Sequence, residues 1–320
     1  MDTSYKKLVS IIIVTYFSEH EIRACLDAVL SPIDARLEII VIDNVSKDAT
    51  IDILKNEYAN NSRVRLVFNS ENTGFARGNN QGAELAEGKY LLILNPDTVA
   101  SGASIIEMVE YFETHPEVGV LGPKIVDEYG VAQESYGEDL TPWNEFVGKI
   151  FYSKYAEKLP FVRHWKNKRL AKGVVRNVGW IGGACALIRK DLFLKIGGID
   201  TTYFLSYADM IDLGKKIKLE GLKAVLYPKV QIVHAGSKSV VQDRTESLRA
   251  SYIGTLHLFE KYYGEPTVFF AKTIYVTSSL LKAIIAFPIS LIKKDPYRAI
   301  AIAHATNAGR IVTGTLGTIK

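Results

Sequence analysis

The run YLLILNPDTV sets an acid at an unusual place: five apolar residues, 90–94, stop at Asn95-Pro96-Asp97. A second acid, Asp43, ends another apolar run, EIIVI. A loop acid is ordinarily just solvated. Two carboxylates at the ends of buried strands instead suit a hard divalent cation and phosphate-bearing ligands. Pro96 restricts the backbone before Asp97 and removes one N–H. His234 closes the run VQIVH. A lone histidine is more often structural, but one at a strand end can complete a cation site begun by Asp97. Asp209 and Asp212 stand three apart, so on a helix they share a face. The stretch NTGFARGNNQG adds Gly74 and Gly78, expected to let a helix backbone approach a ligand closely, with amides from Asn72, Asn79 and Asn80 and a cation from Arg77.

These residues need elements to hold them. Residues 9–15, 38–42, 64–68 and 90–94 read as strands, β-branched and continuous enough to be covered on both faces. Helical stretches fall between and after them at 19–30, 47–58, 75–86 and 103–114, with Ser46 or Asp48 a plausible cap for the second. Such alternation predicts an α/β fold with a mostly parallel sheet, in which ligands sit beyond the carboxyl ends of the strands. Asp43 and Asp97 are therefore expected to face one crevice. After Pro123 the alternation stops. Residues 136–172 are aromatic and basic without a clean period and read as an insertion. Then come a strand over 182–188, a helix over 209–220, and two short strands at 224–227 and 231–234.

The chain has 320 residues, 48% hydrophobic and 23% charged, which suits one large domain or one domain with an appendage. A net charge of +4 is too small to argue for nucleic acid. Two distant cysteines imply neither a disulfide framework nor a metal cluster. No G-x-G-x-x-G follows the first strand, which excludes a dinucleotide-dependent dehydrogenase. From Phe269 onward seven basic residues face a single acid, so this segment carries +6 and the rest −2. The expected division is a catalytic domain over 1–265 and an apolar, basic helical segment over 266–320. Within it 267–292 is strongly apolar but interrupted by Lys272, Lys282 and Pro288, and the longest uncharged piece of that stretch, 283–292, is short of the roughly 20 residues a spanning helix needs. Amphipathic helices lying on an anionic membrane surface are expected, and pairing with a second copy is the other use for such apolar faces.

Together the motifs VSIIIVTYFSEHEIRACL, IIVIDNVSKDAT, NTGFARGNNQG, LLILNPDTV, GWIGGACALIRKDLFLKIGGID, FLSYADMIDLGKKI and VQIVHAGSKS resemble an inverting GT-A glycosyltransferase of the family 2 type. The likeness is greatest to the bacterial rhamnosyltransferase-like members that build surface polysaccharides. The resemblance implies a Rossmann-like nucleotide-diphospho-sugar transferase fold with a nucleotide-sugar donor, expected to be dTDP-L-rhamnose. It implies that Asp43 accepts from a pyrimidine base, with Thr15 and Tyr16 beside the nucleotide. Asn95 would lie near the ribose, while Gly74, Arg77 and Asn79 would line the nucleotide site. Asp97 and His234 would hold Mg²⁺ or Mn²⁺ against the diphosphate, and Gly182 and Gly183 would shape the acceptor pocket. Where the family usually carries its catalytic base, this chain aligns Met210, within Asp209-Met210-Ile211-Asp212. A thioether takes no proton, so the base is expected to be Asp209, with Asp212 the alternative. A general base commonly contributes about 10² to 10⁴ in rate. The expected acceptor is a polyprenyl-diphosphate-linked or other glycan at the cytoplasmic face of the membrane. A non-catalytic nucleotide-sugar-binding scaffold that has lost its base is the competing reading.

Overall fold

The computed structural model describes residues 7–31, 34, 36–145, 173–203, 208–235, 244–292 and 297–317. Most of the insertion expected over 136–172 lies outside them, as does the stretch after Ala235 in VQIVHAGSKS. The chain forms two compact units, one of Met1–Asp139, Gly173–Thr201 and Met210–Ser239, the other of Leu140–Lys172, Thr202–Asp209 and Val240–Lys320.

The first unit is built on a mixed sheet. Strands β1 (Lys7–Thr15), β2 (Leu37–Asp43), β3 (Val64–Phe68) and β4 (Gly88–Leu94) run parallel in the order β3-β2-β1-β4. Between them lie α1 (Ile22–Leu30), a short α2 (Thr50–Ile53) that widens into a π-type turn (Leu54–Tyr58), and α3 (Gly74–Leu85). The continuous apolar runs are explained by two cores, one on each face. Val9, Ile11 and Ile13 of β1 point into a cluster with Leu26 of α1 and with Ile105 and Phe112 of α4 (Gly102–Thr114). Ile12 points the other way, to Ala83 of α3 and Phe193 of α5 (Lys190–Lys195). Each such buried isoleucine contributes about 1.5–3 kcal/mol relative to exposure.

The sheet continues past β4 with a strand the sequence did not suggest. β6 (Val118–Val126) pairs parallel with β11 (Lys223–His234), and β10 (Cys185–Arg189) lies antiparallel between β4 and β6. Pro123 within β6 is tolerated because β10 pairs with β6 only at Val120 and Leu121. The two short strands expected at 224–227 and 231–234 are one strand, β11, bulged between Tyr227 and Gln231. A two-residue β5 (Thr98–Val99) and β8 (Arg176–Val178) add antiparallel to β11. A separate small pair joins β7 (Tyr136–Gly137) to β9 (Trp180–Ile181). α6 (Ala208–Leu219) carries the two acids expected on one helix face.

The second unit contains α7 (Arg244–Tyr263), α8 (Glu265–Ile292) and α9 (Tyr297–Val312). Gly264, at φ +78°, ends α7 by donating its N–H to Phe259 O at 3.0 Å, which lets α8 start at once. Tyr252 of α7 stacks on Tyr275 of α8 at 4.4 Å, and its hydroxyl meets Ser279 at 2.7 Å. α8 runs unbroken through Lys272, Lys282 and Pro288, so it is longer than its uncharged pieces suggest. By length and composition its stretch Glu265–Ile289 could cross a membrane, although only a third of that window is buried in the protein.

Candidate active site

The Asn95-Pro96-Asp97 break is a tight turn. Thr98 N–H donates to Asn95 O at 3.1 Å, with Pro96 at the position such turns favour. Asn95 is held by its own N–H, which donates to Ala184 O at 3.1 Å, and the Cys25 thiol lies beneath its carbonyl at 3.6 Å. Burial, and secondly the Asp97 carboxylate, push that thiol well above the ordinary range. The chain then enters β5, whose pairing sets Thr98 opposite His234, while Ala235 N–H donates to Asp97 O at 3.0 Å. The ladder thus carries Asp97 to His234 across a long sequence separation, and Asp97 Oδ1 stands 3.2 Å from His234 Nε2.

Those two atoms are both buried and neither makes a hydrogen bond. A carboxylate oxygen and a ring nitrogen held this close and otherwise unsatisfied suit a shared cation, since neighbouring ligand atoms on one hard ion lie about 3 Å apart. Among the described residues no cluster of three or more metal-ligating side chains forms. One oxygen and one imidazole nitrogen would fit a divalent ion such as Mn²⁺ better than Mg²⁺, which prefers oxygen, with phosphate and water as its other ligands.

The residues expected on the nucleotide side lie near the ends of β1 and β2 and the start of α3. Asp43 is fully buried and accepts from Thr15 Oγ1 at 2.9 Å, from Ser46 N–H at 2.9 Å and from Ser46 Oγ at 2.6 Å. Around it Asn44, Asn69, Thr73 and Gln81 form an amide network. Asn69 donates to Asn44 Oδ1 at 2.9 Å, Gln81 donates to Asn69 at 3.0 Å, and Asn44 Nδ2 reaches Gly74 O at 3.3 Å. Two non-glycine residues here take left-handed backbone, Phe17 at φ 55° and Val45 at φ 59°. That is costly for a β-branched valine and marks a loop shaped for something other than stability. Tyr16 and Phe17, in edge contact at 4.5 Å, stay substantially exposed at this edge.

α3 opens at Gly74, whose φ of +81° and N–H to Asn72 Oδ1 at 2.9 Å make the entry turn. Arg77 is exposed on its first turns. Gly78 has a different reason from the one its motif suggested. A Cβ there would fall 2.8 Å and 2.9 Å from the γ-methyls of Val14, so this glycine seats the helix on β1 and does not open it to a ligand. Gly82, one turn on, does the same against Ile12. Asn79 is buried, donating to Phe75 O at 2.9 Å. Asn80 clasps the backbone of Ile199 through both amide atoms, at 2.8 Å and 2.9 Å.

Gly182 and Gly183 follow β9. Gly182 N–H donates to Ser135 O at 2.6 Å, and a Cβ on Gly183 would strike the Phe75 ring. On α6, Met210, Leu213 and Ile217 turn into the core, and Met210 is only 3% exposed. Asp212 is fully buried with Lys216 Nζ at 3.4 Å, and Asp209, in the first turn, is 7% exposed. The structure thus puts a packing residue, not a site-facing one, where the motif aligned Met210 with the base. Residues the motifs did not point to are Ser46, Asn44, Asn69, Gln81 and Gln133. Of these Asn44 and Ser46 sit inside DNVSKDAT, where their neighbourhood with Asp43 was a usable signal.

The family model for glycosyl transferase family 2 matches residues 10–197, more than half of the chain, and the chain belongs to that family. It is 25% identical over 266 residues to N-acetylglucosaminyl-diphospho-decaprenol L-rhamnosyltransferase of Mycobacterium tuberculosis, covering 79% of this chain and 85% of the relative. It is 24% identical over 281 residues to the low-salt glycan biosynthesis hexosyltransferase Agl10 of Haloferax volcanii, covering 85% and 81%. Among solved structures, the mannosyltransferase PcManGT of Pyrobaculum calidifontis, in complex with GDP-Man and Mn²⁺, superposes with a TM-score of 0.55 at 19% identity, covering 98% of this chain and 88% of that one. GalNAc-T7 with UDP, GalNAc and Mn²⁺ gives 0.60 at 16% identity, covering 88% and 51%. The structural neighbours share the GT-A glycosyltransferase fold.

Proposed function

We propose that this glycosyltransferase is a divalent-metal-dependent, inverting enzyme that moves L-rhamnose from dTDP-L-rhamnose to a polyprenyl-diphosphate-linked glycan in surface polysaccharide synthesis. The observation that carries the metal and donor reading is the buried pair Asp97 Oδ1 and His234 Nε2, 3.2 Å apart and without hydrogen bonds. The choice of sugar and acceptor is supported by the similarity to a decaprenol-linked rhamnosyltransferase. When bound, Mg²⁺ or Mn²⁺ offsets negative charge on the departing nucleoside diphosphate. The protein's own residues do the rest. Tyr16 and Phe17 offer an aromatic edge for the base, the Asp43–Thr15–Ser46 knot holds the strand ends in place, and Arg77 supplies a cation. A base on α6 takes the proton of the acceptor hydroxyl as its oxygen attacks the anomeric carbon and the bond to the diphosphate breaks. Asp209 is assigned that role over Asp212, whose carboxylate is wholly buried beside Lys216. Met210 packs in the core, so the scaffold without a base is the alternative reading, and turnover of wild type set against Asp209→Asn distinguishes the two.

The protein is proposed to sit on the inner face of the cell membrane through α8. Its inner face packs on α7 and α9, yet Phe269, Leu280, Leu281, Ile284, Phe287 and Leu291 form an exposed apolar stripe without a charge on it. A helix already covered on one face and carrying an apolar stripe on another suits an apolar neighbour along that stripe. Ile284→Asp with Phe287→Asp is expected to abolish flotation with anionic vesicles while leaving the melting temperature in place.

Titration calorimetry across sugar nucleotides, with and without Mn²⁺, tests the chemistry. Cation-assisted uptake of dTDP-L-rhamnose, lost in Asp97→Asn and His234→Ala, with turnover lost in Asp209→Asn, is expected. Equal uptake in chelator, or binding without transfer to any prenyl-linked acceptor, would refute the enzyme as described.

A further inference from the structure

We infer that Gln133 is the positioning residue that sets the tautomer of His234, keeping an unprotonated ring nitrogen turned toward Asp97. The inference rests on the cation site proposed above and deepens it. Gln133 grips His234 at two points: its Nε2 lies 2.9 Å from the His234 backbone carbonyl, and its Oε1 lies 2.7 Å from the ring Nδ1. The carbonyl can only accept, so the amide atom facing it must be the NH₂ group. The other amide atom is therefore the oxygen, which also only accepts, so the proton in the second contact belongs to Nδ1. In the neutral ring Nε2 is then bare, and Nε2 is the atom facing Asp97 Oδ1 at 3.2 Å. In the neutral ring two acceptors are thus held face to face, as a cation seat requires.

The backbone delivers Gln133 rigidly. After β6 the chain reverses in a tight turn at Asp127, whose Oδ1 accepts from Tyr129 N–H at 2.9 Å and Val131 N–H at 2.8 Å. Gly130 takes the left-handed conformation there, at φ +78°. Ala132 then bridges back to Val126, and Gln133 N–H donates to Ile125 O at 2.9 Å. β6 runs beside β11 with Val126 opposite Val233, so the returning strand sets the Gln133 amide beside the next residue, His234. A purely structural role would need only the tie to the carbonyl. The second contact, to the ring, is what selects the tautomer, and outer partners of this kind commonly hold about 10–100-fold of metal affinity.

Three variants, Gln133→Leu, Gln133→Glu and His234→Ala, test this at pH 8. Long-range ¹H–¹⁵N spectra of the metal-free protein, with His234 assigned by its loss in His234→Ala, should show the proton on Nδ1 in the parent. In Gln133→Leu it should move to Nε2, where Asp97 accepts it. Calorimetry with Mn²⁺ and dTDP should then show a 10–100-fold weaker cation in Gln133→Leu. Gln133→Glu can still accept from Nδ1 but cannot donate to the carbonyl, so it should keep the parent tautomer and most of the affinity. If Gln133→Leu retains the Nδ1 proton and the parent Mn²⁺ affinity while His234→Ala loses the ion, the role of Gln133 is refuted and the cation site stands. If Gln133→Glu is as impaired as Gln133→Leu, the carbonyl tie is what matters and the inference fails. If His234→Ala binds Mn²⁺ as the parent does, the cation site itself is wrong, and this inference falls with it.

Discussion

A methyl group added at Gly78 would meet Val14 Cγ1 at 2.8 Å and Cγ2 at 2.9 Å, while Val14 Cβ lies at 3.5 Å, an ordinary contact distance. Gly78→Ala alone gains about 0.8–1 kcal/mol of helix propensity. It also overpacks the α3–β1 seat, which typically costs about 1–3 kcal/mol. The net is a loss of about 0–2 kcal/mol, or a melting temperature lower by up to about 8 °C for a unit of this size. Val14→Ala removes two half-buried methyls and should cost about 1 kcal/mol. In the double variant the clash is gone and the helix gain remains, so stability should return close to the parent, a favourable coupling of about 1–3 kcal/mol. To relieve the clash in the single variant, Val14 and α3 together must give by about 0.6 Å, the step from 2.8 Å to an ordinary 3.4 Å contact. A displacement near 1 Å can cost about 10²-fold in rate, so a turnover loss of about tenfold is expected, with recovery in the double variant. Thermal melts and donor turnover on the four proteins complete the cycle. Should Gly78→Ala melt at or above the parent with strictly additive effects, the packing explanation for this glycine is wrong.

Two further outcomes follow from buried and paired groups. Cys25 and Cys185 are fully buried, and burial raises both thiols well above the ordinary range, so neither should react with an alkylating reagent at pH 8 until the protein unfolds. Modification of the native protein at the rate of a free thiol would contradict their placement. In the helical unit, hydrogen bonds from Arg310 and Arg249 hold Glu246 below the ordinary glutamate value of 4.5. A depressed acid stabilises fully above its unfolded value, and that stability is lost as pH falls through the lower folded value. Melts of wild type and Glu246→Gln should therefore differ at pH 7 and converge as pH falls below 4.5 through the lowered value; the difference should be small, because solvent screens a pair this exposed.

The first half of the sheet was legible because β1, β2 and β4 are buried on both faces, and the requirement for apolar residues on each leaves uninterrupted runs. Asp97 and His234 were legible for a related reason, since a polar residue ending such a run stands out. β6 was not, because VGVLGPKIV carries a glycine and a proline in mid-strand. Both are admissible only because β10 has stopped pairing there and Ile181 fills the space over Gly122, facts of tertiary partnering. Gln133 was invisible because glutamine at an irregular position signals nothing, and its partner lies 101 residues away. Gly78 was misread because a glycine that admits a ligand and one that admits a valine look alike in a string. Met210 aligned with a base through the register of the Asp209-Met210-Ile211-Asp212 motif, and register alone does not say which way a helix residue faces. Here Met210 shares its face with Leu213 and Ile217.

The amide network and the cation pair draw on different lengths of chain. The side chains of the amide network and of the Asp43–Thr15–Ser46 knot all lie between Thr15 and Gln81, so these ties are available to a nascent chain early in synthesis. The cation pair waits for β11, the last strand, to slide in beside β6 and offer His234 to Asp97 and Gln133. A polypeptide stalled before that strand would hold the amide network without the carboxylate–imidazole pair, so the cation grip proposed above becomes available only once synthesis has passed His234.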